Sequence, residues 1–143
     1  MSSSLPVDAV RSLARLARLL EAASDELNPA HYRVLAAIAS GDQRASRVAD
    51  RLALGKPTVS AAVAALTERG LLSRGDDVRD RRAEALALTD AGEAVLGRVE
   101  AVRVARLDEL CVRMPASVRA LDALVELGKA VEEMRAARHR SGA

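Results

Sequence analysis

The chain is 143 residues long, with 50% hydrophobic and 29% charged residues and a formal net charge of +2. That length fits one domain with a real core, and the composition excludes a disordered or fibrous chain. A single cysteine, Cys111, excludes an intramolecular disulfide, and no apolar run approaches the roughly 20 residues that cross a bilayer.

The start, "MSSSLPVDAV", lacks the basic and apolar stretches of a signal peptide, so a cytoplasmic chain without membrane contact is expected. Tyr32 is the lone aromatic, and Ala, Leu, Arg and Glu dominate. These are strong helix formers, so the core should be aliphatic and the fold mainly α.

Residues 5–26 read as an amphipathic helix, with Leu13, Leu16 and Leu20 at helical spacing. In "NPAHYRVLAAIASG" a second helix should start at an Asn28 cap with Pro29 in its first turn and end at Gly41. Tyr32, Leu35 and Ile38 make its inner face. "SRVADRLAL" gives a short third helix, with Ser46 as its expected cap and Val48, Ala49 and Leu52 pointing inward. Gly55 is expected to make the sharp turn that follows. A fourth helix, "KPTVSAAVAALTERG", carries the stripe Val59, Val63 and Leu66 and ends at Gly70 in a left-handed cap.

Two short strands follow, "LLSR" and "EALAL", the second alternating at Leu86 and Leu88. The charged stretch between them spans residues 75–82. Thr89 should cap a long fifth helix, with Asp90 favourable to its dipole. It carries Val95, Val99, Val102, Leu107, Leu110 and Met114. Pro115 marks a break, and a sixth helix carries Val118, Leu121, Leu124, Val125, Val131 and Met134.

Helices three and four, parted by a tight turn, form a helix-turn-helix, and the hairpin adds a wing. Such a pair sets its second helix in the DNA major groove. Away from the buried stripe that helix presents Lys56, Pro57, Thr58, Ser60 and Ala61. Lys56 suits a phosphate, the hydroxyls suit phosphates or base edges, and the methyls of Thr58 and Ala61 suit a thymine methyl. Arg79, Arg81 and Arg82 at the wing tip can reach a narrow minor groove, with Asp77 and Asp80 as partners that hold them in place. A hydroxyl-rich helix start is elsewhere only a cap, and a charged hairpin tip only a solvated loop. The two together are more specific than either.

With these segments in view, the sequence resembles the MarR family of bacterial transcription regulators. "DDVRDRRAEALALTDAG" is similar to that family's wing, with its Asp-Arg-Arg, alternating strand and Leu-Thr-x-x-Gly. "LNPAHYRVLAAI", "RVADRLALGKPTVSAAVAAL" and "LTERGLLSR" follow in the family's order. The resemblance spans roughly residues 10–140.

It implies a winged helix-turn-helix with a two- to three-stranded wing at 28–89, and a helical dimerisation region from residues 5–26 and 90–140, all within one domain, 1–143. It implies a homodimeric regulator, by expectation a repressor, on a pseudo-palindromic promoter site of double-stranded DNA. By position Arg82 matches the family's minor-groove arginine, Asp80 its acidic companion, and Thr58 and Ser60 its polar recognition positions. It also implies release by a small ligand, here a small aromatic or phenolic compound in a cleft between helices one, two and five. Arg15, His31 and Tyr32 are the candidate polar handles. The sequence departs from the family at Ala61, where a polar or basic residue is common, and at Gly55, where Ser is common. Readout is then expected to lean on DNA shape. Residues 41–90 hold 9 basic and 8 acidic side chains, which points to modest, salt-sensitive affinity.

No catalytic constellation is present, so no enzyme is expected, and no cofactor or metal. His31 and His139 have no metal-ligand spacing to a second His or Cys, and no Gly-rich phosphate loop occurs. Cys111 has two readings, a redox-sensing thiol or a small hydrophobe beside Leu107, Leu110 and Met114. A second function class is a winged-helix protein-interaction module that has lost sequence-specific DNA readout, suggested by Ala61, Ala62, Ala64 and Ala65.

Overall fold

The computed structural model of the chain describes residues 5–76 and 84–141. Six helices and one hairpin follow in the order α1 (Leu5–Glu21), α2 (Pro29–Ala39), α3 (Ala45–Leu52), α4 (Lys56–Glu68), β1 (Leu72–Asp76), β2 (Glu84–Leu88), α5 (Asp90–Cys111) and α6 (Ser117–Ser141). The mainly α winged helix-turn-helix expected from the sequence is the fold observed.

α1 stops five residues short of the expected end. Ser24 Oγ accepts the Glu26 N–H at 3.4 Å in a turn, and Leu27 is driven into the core at 2% exposure. Burying that leucine outweighs one more turn of a solvent-facing helix. α2 begins as expected: Asn28 Oδ1 accepts the His31 N–H at 2.8 Å, and Gly41 leaves the helix at φ +109°. Its buried face is Val34, Leu35, Ala37 and Ile38.

α3 departs from expectation in two ways. Its N-cap is Arg44 rather than Ser46, with no side-chain cap bond. The preceding Gln43 carbonyl accepts the Leu86 N–H of β2 at 2.7 Å, so the chain is held extended there and must enter the helix at once. That one bond is also what the described residues show of a third wing strand. Second, the left-handed turn after α3 falls on Ala53, at φ 50°, whereas Gly55 sits at φ −60° as the N-cap of α4. The Leu54 N–H closes onto the Ala49 carbonyl at 3.1 Å, which sets the tight turn one residue after the helix.

The hairpin pairs β1 with β2 antiparallel, from Leu72 opposite Leu88 to Asp76 opposite Glu84. Leu72 and Leu86 face the core at 2% and 4% exposure. At the foot of the wing three bonds converge. Thr89 Oγ1 donates to the Gly70 carbonyl at 2.6 Å and accepts the Gly92 N–H at 3.0 Å, while the Thr89 N–H donates to the Leu71 carbonyl at 3.1 Å. The expected left-handed exit of α4 at Gly70 (φ +73°) is thus locked to the first turn of α5.

The buried core lies in residues 27–99, where α2, α3, α4, the hairpin and the first half of α5 meet. α1 buries nothing fully, and the buried positions of α5 end at Arg103. Beyond that core α6 keeps Val118, Val125, Leu127 and Met134 exposed, by 50% or more. Together α1, the end of α5 and α6 line an open apolar groove of about 550 Å³, walled by Leu13, Leu16, Leu110, Leu121 and Leu124 among others.

Candidate nucleic-acid interface

α4 divides cleanly into two faces. Val59, Ala62, Val63 and Leu66 are buried at a helical period, and Lys56, Pro57, Thr58, Ser60, Ala61 and Ala64 are exposed. The exposed row starts at the helix N-terminus, where main-chain N–H groups and the dipole favour an anion. Lys56 adds a mobile charge, and Thr58 and Ser60 add hydroxyls with no described partner inside the fold. Of the four alanines noted in the sequence, Ala62 is core at 3% exposure and Ala65 is half-buried. Only Ala61 and Ala64 lie open, so the bland part of this face is smaller than the sequence suggests. Arg79, Arg81, Arg82, Asp77 and Asp80 lie outside the described residues.

A second feature sits between α1, α2 and α5: a cleft of about 420 Å³ lined by Leu20, Glu21, Tyr32, Glu100, Arg103 and Leu107, among others. Of the three expected handles only Tyr32 lines it. Arg15 is exposed on α1 and turns toward Ser12 Oγ at 3.4 Å. His31 caps into Asn28, and burial, with the Arg69 charge second, holds its imidazole below the usual range. Both are kept from the cleft by helical phase.

What the sequence reading missed is Arg103. It is 9% exposed, its guanidinium carbon stacks 3.9 Å from the centre of the Tyr32 ring, and its Nε and Nη2 are buried without a hydrogen-bond partner. Tyr32 Oη makes a long contact of 3.5 Å to Glu100 Oε1, and burial, then the Glu100 charge, push its phenol up. Stacking on the ring holds the arginine but leaves the donors of two nitrogens to satisfy. The spacing carried the signal: Arg103 follows Val95 and Val99 at four-residue steps on the buried stripe of α5.

Cys111 is half-buried in the wall of the apolar groove, beside Leu107, Leu110 and Met114. Among the described residues no group of His, Cys, Asp and Glu is placed to hold a metal ion, and no helix is long and apolar enough to cross a membrane. The His139 side chain lies outside what is described.

Residues 25–83 match the model of the MarR family. No curated protein matches the chain. Among solved structures, the PcaV transcriptional regulator of Streptomyces coelicolor, in complex with its natural ligand, is 26% identical, covering 92% of this chain and 97% of its own, with a TM-score of 0.66. The transcriptional repressor CouR, bound to a 23-mer DNA duplex, is 27% identical over 91% of this chain and 93% of its own, with a TM-score of 0.69. Wild-type MarR of E. coli shares the fold at a TM-score of 0.72 and 19% identity, over 85% of this chain and 94% of its own. The described helix-turn-helix and the first wing strand fall inside the segment that matches the MarR family: residues 25–83 are similar to that family, and the chain as a whole shares the fold of these solved transcription regulators.

Proposed function

We propose that the chain acts as a homodimeric repressor on a pseudo-palindromic promoter site and releases it when a small anionic ligand, aromatic or phenolic in type, enters the Arg103 cleft. The exposed row Lys56, Thr58 and Ser60 on α4, set opposite a fully buried stripe, is the observation that carries the DNA reading. Two such rows, one per protomer, would lie one helical turn of DNA apart, about 34–36 Å. The wing arginines, with Arg82 foremost, would enter the flanking minor groove, as the resemblance implies. The open apolar groove supports the dimer, since an exposed apolar surface of this extent on a regulator marks a protein contact.

Binding to a labelled promoter duplex, followed by fluorescence anisotropy across a salt series, tests the reading. Lys56→Ala should weaken binding to all sequences alike and reduce the salt slope by about one unit, as loss of a single phosphate contact does. An unchanged slope would remove Lys56 from the interface.

For the ligand, Arg103 is the carrying residue, because two buried guanidinium nitrogens without a hydrogen-bond partner are costly and an anion could accept from both. Salicylate and related aromatic carboxylates should raise the melting temperature of the wild type and lower its DNA affinity. In Arg103→Leu both effects should vanish, while the protein stays folded, since the exchange removes a buried unpaired polar group. An equal thermal shift in that variant would place the binding elsewhere.

A further inference from the structure

Arg51, in the last turn of α3, reaches in two directions. Its Nη1 donates to Asp42 Oδ2 at 3.0 Å, and its Nε lies 3.4 Å from Glu132 Oε2 on α6. Asp42 is itself fixed, because its N–H donates to the Ala37 carbonyl at 3.2 Å just past Gly41. The next residue, Gln43, carries the carbonyl that accepts the Leu86 N–H of β2. A carboxylate on α6, a guanidinium on α3, the α2–α3 turn and the wing strand therefore form one bonded row. α6 makes no extensive backbone contact with any other element among the described residues, so a side-chain link of this kind weighs more in placing it.

We infer that Arg51 is a joint that couples the placement of α6 to the root of the wing. The arm proposed to carry the dimer then biases where the wing stands, and a shift of α6 reaches the DNA-facing side through Asp42 and Gln43 instead of through the aliphatic core. Coupling of this kind is a free energy shared between two places, and a double-variant cycle measures it. The Glu132 side of the fork is half-exposed, so one such pair carries a modest effect, about threefold in an equilibrium. The DNA half of the inference rests on the regulator reading above; the wing half does not.

Two readouts keep these apart. Hydrogen exchange at the Leu86 amide reports the wing root in the free protein, and duplex anisotropy reports DNA binding. Glu132→Gln should speed Leu86 exchange about threefold and weaken DNA binding by a similar factor. The sign is diagnostic, because deleting a carboxylate from a DNA-binding protein should by charge alone tighten binding. Glu133→Gln, its neighbour, supplies that background: unchanged Leu86 exchange and slightly tighter binding. Adding Glu132→Gln to Arg51→Gln should leave Leu86 exchange unchanged and shift DNA binding by no more than the Glu133→Gln background. Leu86 exchange equal to wild type in Glu132→Gln, or additive effects in the double variant, would overturn the joint. Faster exchange with DNA binding that follows only the Glu133→Gln background would uphold the joint and count against the wing as a DNA contact.

Discussion

Gly92→Ala is expected to lower stability by about 3 kcal/mol, or roughly 10 °C in melting temperature. Gly92 lies in the first turn of α5, and an added Cβ would press into the Leu71 carbonyl oxygen and stand 3.0 Å from its carbon. That carbonyl cannot retreat cheaply, because it accepts the Thr89 N–H at 3.1 Å and follows the Gly70 turn that ends α4. Relief would require separating α4 from α5 or breaking the Thr89 clamp. Gly97→Ala, five residues along the same helix, is the control. Nothing lies within 4 Å of its added Cβ. It should gain about 0.5–1 kcal/mol from helix propensity. Thermal denaturation of both variants tests the contrast, and a Gly92→Ala protein melting with the wild type would show that the close approach relaxes at no cost.

Leu124→Asp should have the second large effect. Leu124 lines the apolar groove between α1, α5 and α6, outside the buried core that holds the helix-turn-helix. A carboxylate there would be desolvated at the proposed dimer contact and solvated in a monomer. Light scattering should then give the mass of one chain where the wild type gives two. Affinity for a two-half-site duplex should fall on the order of 100-fold, because the second half-site no longer gains from tethering. The monomeric variant should keep its helical circular dichroism, because the core in residues 27–99 is untouched. A wild type that is a monomer at micromolar concentration, or a variant that remains a dimer, would remove this face as the interface.

The element order, the caps at Asn28 and Thr89, the Gly70 exit and the buried stripe of α4 were legible in the sequence. Each depends on local spacing and on residues with narrow backbone or hydrogen-bonding preferences. The Leu-Thr-x-x-Gly pattern shows why such a motif can be read: Thr89 is both cap and clamp, and Gly92 is where another backbone must pass. The misses have a common cause as well. The α3 cap moved from Ser46 to Arg44 because a wing strand holds Gln43, and the left-handed turn fell on Ala53 because Leu54 closes onto Ala49. α1 ended early because Leu27 had a better place in the core. These are tertiary contacts, invisible to windows of neighbouring residues. In the cleft, composition drew attention to Tyr32 and to charges near it in sequence. The residue that stacks on that ring, Arg103, comes from α5, 71 positions away along the chain.

The central claim is that the exposed face of α4 reads DNA. Its most direct test compares wild type with Thr58→Val/Ser60→Ala on a selected promoter duplex and on a scrambled duplex, at one fixed salt concentration. Both positions are exposed and the buried stripe is untouched, so the fold should hold. Loss of roughly 10- to 100-fold in affinity for the selected duplex, with binding to the scrambled one nearly unchanged, is the predicted result. Equal affinity of the two proteins for the selected duplex would contradict it.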